Sequence, residues 1–83
     1  MKVVISTFDE RKTDMIARII KKAFRAGETN QEVAEDIHER LTDKYGGSWN
    51  VILGDYLCRL SILLDSAAEF EYKGMRIKTN RSY

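Results

Sequence analysis

The stretch Lys44-Tyr45-Gly46-Gly47-Ser48-Trp49-Asn50-Val51-Ile52-Leu53-Gly54 divides the chain into two kinds of pattern. Ahead of it, beyond a short leading run, apolar residues recur every three to four positions, the period of a helix. After it they alternate or run together in short blocks, as in strands. Two consecutive glycines end the helical part, and the only tryptophan lies at the start of the extended part. Helices followed by a run of strands, without alternation, give an α+β domain with an antiparallel sheet.

Lys2 to Thr7 is a short β-branched run suited to an edge strand. Thr7-Phe8-Asp9-Glu10 fits a capping box, with a hydroxyl to accept an orphan amide and a glutamate to reach back. In the helix that follows, Met15, Ile16, Ile19, Ile20, Ala23 and Phe24 form one stripe. Asp9, Glu10 and Asp14 sit in its first turns, and Lys21, Lys22 and Arg25 in its last, which suits the helix dipole. Gly27 offers the stop. Arg18, Lys21, Lys22 and Arg25 are read as a solvated helix end rather than as a surface for an acidic partner or microtubule.

Thr29-Asn30-Gln31-Glu32 opens a second helix with the same box, and Val33, Ala34, Ile37, Leu41 and Tyr45 make its buried stripe. The short turn between the helices makes them an antiparallel pair. Glu32, Glu35, Asp36, Glu39 and Asp43 cover the other side, spread over too many turns to converge on a cation. His38 lies on this helix without a carboxylate and nucleophile around it, so it is read as a surface or packing histidine.

From Ser48 the reading is strands. Trp49, Val51 and Leu53 face one way, Asn50 and Ile52 the other. Tyr56 to Leu64 is a second apolar run, and Asp65-Ser66 reads as a turn. Ala68, Phe70 and Tyr72 alternate with Glu69 and Glu71, and Lys73-Gly74 is a two-residue hairpin loop. Met75, Ile77 and Thr79 return, placing Arg76 and Lys78 opposite the two glutamates. The expected order is β-α-α-β-β-β-β, a five-stranded antiparallel sheet with two antiparallel helices on one face, in one domain over residues 1–83. Ile52 and parts of Tyr56–Leu64 cannot all point at the helices, so a second copy is expected to cover the other face.

Composition narrows the chemistry. Eighty-three residues hide only about 60–65% of the unfolded surface, which leaves stability marginal without a supplement. A single cysteine, Cys58, allows no internal disulfide; flanked by Leu57 and Leu60, it reads as a small buried group. One histidine and no Cys-x-x-Cys pair leave no zinc framework, so no cofactor is expected. The 14 basic and 13 acidic side chains balance to +1, no footprint for nucleic acid. Without a long apolar run, no membrane insertion is expected and the cytoplasm is the default. There is no phosphate loop, nucleophile elbow or acid pair at a mouth, so no enzyme is expected.

The motif around Trp49 resembles that of the small dimeric dynein light chains, the peptide-binding hub class. Those proteins carry Lys-Tyr, two turn residues, a small hydroxylated residue, Trp, a polar residue, then apolar residues closing on Gly. Lys44 to Gly54 matches, and Phe70-Glu71-Tyr72-Lys73-Gly74 matches the family's aromatic hairpin. The resemblance implies a strand-exchanged homodimer in which Tyr56–Leu64 crosses to the partner's sheet. It implies that an extended client segment, such as one from a dynein intermediate chain, adds to that strand's edge. Asn30 and Gln31 would contact the client's central glutamine, and Tyr56, Leu57, Cys58, Arg59, Leu60, Ser61, Ile62, Leu63, Phe70 and Tyr72 would line the groove. Trp49, Asn50, Val51, Cys58, Leu60 and Ile62 would meet the second copy. Location would be the cytoplasm and cytoskeleton, in a cytoplasmic or axonemal dynein complex. A motor-independent dimerisation hub, or a divergent paralogue pairing with a standard light chain, are the alternatives.

Several positions depart from that family. Its strand runs Phe-Gly-Ser-Tyr-Val-Thr-His, whereas this chain has Leu57-Cys58-Arg59-Leu60-Ser61-Ile62-Leu63, a greasier groove wall with an added charge. Asn50 stands where the family has an interface histidine, and asparagine does not titrate. Met75 to Asn80 is more polar than the family's last strand, which suggests less burial there. The added charge gives a direct test: Arg59→Glu is expected to change client affinity in a peptide titration while leaving the thermal melt unmoved.

Overall fold

In a computed structural model the chain follows the expected order, and the structure describes residues 1–54, 56–57 and 66–82. Strand β1 (Lys2–Ser6) leads into helices α1 (Glu10–Ala26) and α2 (Asn30–Tyr45). Strands β2 (Ser48–Leu53), β3 (Tyr56–Leu57), β4 (Ser66–Tyr72) and β5 (Met75–Ser82) follow. They form one five-stranded antiparallel sheet in the order β1-β4-β5-β2-β3.

The two helices are started differently. At α2 the capping box is complete: Glu32 N–H donates to the Thr29 hydroxyl, and Glu32 Oε1 accepts from Thr29 N–H, both at 3.1 Å. At α1 the cap is Asp9 rather than the expected Thr7, its Oδ1 accepting from Lys12 N–H at 2.8 Å. Thr7 is drawn off by the sheet. Its N–H donates to Ala67 O at 2.8 Å, and its hydroxyl accepts from Ala67 N–H at 2.9 Å. Gly27 does stop α1, but with a φ of −96° it needs no left-handed backbone. A Cβ there would stand 2.9 Å from Val33 Cγ2, so glycine is required for the close approach of the helices.

The core lies between the helix pair and one sheet face. Ile16, Ile20 and Ala23 of α1 and Ala34, Ile37 and Leu41 of α2 are sealed from water. Beneath them, equally buried, are Trp49, Val51 and Leu53 of β2, Phe70 of β4 and Ile77 and Thr79 of β5. Here the last strand departs from expectation. β5 sits between β4 and β2 at the middle of the sheet, so its inner positions are among the most buried in the chain. Arg76, Lys78 and Asn80 take the outer face, while Thr79 is sealed on the inner one. Ser66, read as part of a turn, already belongs to β4 and pairs with Arg81.

The β4–β5 hairpin carries paired charges on the outer face. Arg76 pairs with Glu69 at 2.7 Å and approaches Glu71 at 3.9 Å, while Lys78 reaches Glu69 at 3.6 Å. The register that aligns them is set by a hairpin turn in which both Lys73 (φ 53°) and Gly74 (φ 72°) are left-handed. Ile5, Ile52 and Ala67 also lie on this face. Phe70 is the largest core group of β4. Phe70→Ala is expected to cost about 3–5 kcal/mol, a large share of the roughly 5–10 kcal/mol such a domain holds. Urea denaturation measures it; a loss below about 1 kcal/mol would place the ring outside the core.

Candidate interaction site

Helix α2 packs over β2 and extends to β3. The tight turn at Gly46 (φ 66°) sends β2 back beneath α2, so the start of α2 lies toward the Leu53 end, where β3 begins. Among the described residues β3 terminates the sheet, with no strand paired on its outer side. Within one chain Tyr56 and Leu57 pair back on Leu53 and Ile52 of β2 through Gly54, whose φ is 59°. Cys58, Arg59, Leu60, Ser61, Ile62 and Leu63, expected in the groove or at the dimer interface, lie outside the described residues.

Asn30 and Gln31 are exposed at the first turn of α2. Their N–H groups point out of the helix end, where the positive pole of the dipole lies. The Gln31 amide donates to Glu35 Oε1 at 3.3 Å, which holds it along the helix surface. A backbone edge, a polar helix start and the wall of α2 thus adjoin.

Other expected residues lie elsewhere. Phe70 is fully buried under the helices, on a strand separated from β3 by β5 and β2, so it meets the core and offers no surface to a peptide. Tyr72, on the same strand, stacks edge-on with Phe24 of α1, ring centroids 5.2 Å apart. Trp49 and Val51 are fully buried in the chain's own core. The Trp49 indole N–H donates to Gly46 O at 3.0 Å, tying the ring to the turn that precedes it.

Asn50 is the exception. It points to the face away from the helices, opposite Asn80 of β5, and is only 2% exposed. Neither its amide nitrogen nor its oxygen has a hydrogen-bond partner among the described residues. His38 Nε2 is likewise buried and without such a partner, on a half-buried ring. No group of three His, Cys, Asp or Glu residues among those described is placed to hold a metal ion, and no described helix is long and apolar enough to cross a membrane.

One constellation escaped the sequence reading. The Lys12 ammonium lies 4.5 Å from the centre of the Tyr45 ring, 4.8 Å from Phe8 and 5.7 Å from Trp49. The three rings come from the β1–α1 loop, the end of α2 and β2, and no spacing along the chain announces their meeting. Burial, and then the negative charge of Asp9, raise the Tyr45 phenol above its ordinary pKa. The cluster closes the helix layer over Trp49.

Comparison with known proteins agrees with this architecture. The family model described as dynein light chain type 1 matches residues 1–79. The dynein light chain-like domain of the Fasciola hepatica calcium binding protein FhCaBP2 superposes with a TM-score of 0.78 at 19% identity, covering 99% of this chain and 90% of that one. The DLC like domain of CsTAL3 gives 0.73 at 18% identity, covering 96% and 90%. These structural likenesses speak for the fold. No curated protein matches the chain.

Asn50 carries the prediction from this geometry. Replacing a buried amide that has no partner among the described residues by an apolar group of similar size removes a desolvation cost. Asn50→Leu is therefore expected to raise stability by about 1 kcal/mol in dilute protein. A loss that deepens with protein concentration would instead show the amide bonded across an interface.

Proposed function

This chain belongs to the dynein light chain family, a family of non-catalytic adaptors, and on that footing we propose that it is a dynein light chain subunit that dimerises and binds extended client segments. The client, such as a disordered stretch of a dynein intermediate chain, adds as a strand along the edge of the segment 56–64. Its backbone supplies affinity and its alternate side chains supply preference. The observation that carries this reading is the placement of β3 as the terminal strand beside α2. An open ladder edge next to a helix start with outward amides is what an extended peptide requires.

Dimerisation enters through the same segment. A strand that pairs with its own β2 in one chain can make the same bonds to a second copy if the turn at Gly54 opens, which is a strand exchange at little cost in contacts. Two copies then present two edges, each raising the effective concentration at the other. Trp49 and Val51 support β2 from beneath, while Asn50 lies on the opposite face, 2% exposed in the single chain. The cytoplasm and the cytoskeleton, in a cytoplasmic or axonemal motor, are the setting of this role, and no catalytic step belongs to it.

Sedimentation equilibrium, followed by titration with a disordered intermediate-chain segment read by calorimetry and by amide NMR, tests the proposal. The expected result is a dimer that takes two segments, with amide shifts at Tyr56 and Leu57. A monomer at every concentration, or a segment bound without touching β3, would overturn it.

A further inference from the structure

The sheet has a second open edge, at the side opposite β3. Among the described residues β1 is bonded to β4 alone, so half of its backbone donors and acceptors lack a ladder partner there. Its side chains are unusually bare for an edge: Val3 is 45% exposed, Val4 39% and Ile5 62%. Proteins ordinarily blunt such an edge with charge, proline or a covering segment. Here only Lys2 and the register irregularity between Val3 and Ile5 do so.

Helix α1 borders this edge. The Thr13 hydroxyl lies 2.7 Å from that of Ser6 in β1, and farther along the helix Phe24 meets Tyr72 of the neighbouring β4. The core-facing positions Thr13, Ile16, Ile20 and Ala23 leave Arg11, Arg18, Lys21, Lys22 and Arg25 on the side turned to water. None of these five makes an ion pair among the described residues. The two helices also differ in sign. α1 carries six basic residues against Glu10 and Asp14, while α2 carries five acids against Arg40 and Lys44.

We propose that β1 is a second strand-addition edge, and that it takes an extended acidic segment of a partner protein whose carboxylates meet the cations of α1. Successive residues of an added strand point alternately to the two faces of the sheet. Those on the helix side come under the basic field of α1, and those on the other side come beside Ile5. The fitting segment therefore alternates acidic and apolar residues. A second copy of this chain fits worse. Antiparallel β1–β1 pairing has its two-fold axis perpendicular to the sheet and would set two α1 helices on the same face, flank to flank. Their uncompensated cations would repel, a device that opposes self-pairing while favouring an acidic strand. The proposal is independent of client binding at β3, since the two edges lie at opposite ends of the strand order.

A capped peptide of about ten residues alternating glutamate and valine is the probe, titrated at low salt into the whole chain labelled with nitrogen-15. Amide shifts are expected over Lys2–Ser6 and around Lys21–Arg25, with affinity falling as salt rises, and no binding of the matching lysine–valine peptide. The triple variant Lys21→Glu/Lys22→Glu/Arg25→Glu alters exposed groups only. It is expected to stay folded with a melting temperature lowered by the loss of the helix-dipole contribution, and to bind at least about tenfold more weakly. The salt series on the unaltered chain gives an independent reading should the variant fold poorly. Shifts confined to α1 would mean charge attraction without strand addition, and shifts confined to Tyr56–Leu57 would mean binding at β3. Self-association through β1 without peptide would mean a second copy. Each of these would overturn the proposal.

Discussion

Burial of the β2 inner face beneath the helix pair is the constraint from which the rest of the structure follows. Trp49, Val51 and Leu53 are all sealed from water, and they reach that position because the chain reverses at Gly46, with φ at 66°. A residue with a Cβ is strained at such a φ, so the direction of β2 under α2 depends on glycine at that point. The Trp49 indole then bonds back to the Gly46 carbonyl, so the turn and the largest core side chain hold each other. Phe8, Tyr45 and the Lys12 ammonium close over the ring from above. Loss of any one of these contacts is small beside loss of the enclosed surface, which dominates the stability of so short a chain.

With one face committed to the core, the other properties of the sheet are distributed by strand order. The hairpin of β4 and β5 takes the middle and carries its charges outward, where Glu69, Arg76 and Lys78 pair across strands. Exposed pairs of this kind contribute about 0–1 kcal/mol each and serve mainly to keep that area soluble and in register. The two terminal strands differ from this. β3 lies against α2, the acidic helix, and β1 beside α1, the basic one. Opposite edges of one small sheet are therefore set in fields of opposite sign, a distinction that a net charge of +1 conceals.

Family membership accounts for the scaffold but not for the choices made on it. At 18–19% identity to structures of the same fold, what is shared is the fold itself. Asn50 is one residue whose place the fold alone does not explain. A buried amide without a partner among the described residues is a local cost in a single chain.

Periodicity alone determined the two helices, their stripes, the β4–β5 hairpin and the order of elements, because the 3.6- and 2-residue repeats are local consequences of backbone geometry. The charge facing of Glu69 and Glu71 with Arg76 and Lys78 was legible for the same reason, being fixed by a two-residue turn. What the tertiary structure decided is where strands stand relative to one another. The polar look of β5 hid its central position, since half of a strand's residues face away from the core wherever it lies. Phe70 and Trp49 read equally well as groove, interface or core until the layer above them was in place. Thr7 fitted the pattern of a cap, yet its hydroxyl went to Ala67, sixty positions away in the chain. A side chain's preference is written locally; which of several partners wins depends on distances that exist only after the chain has closed on itself.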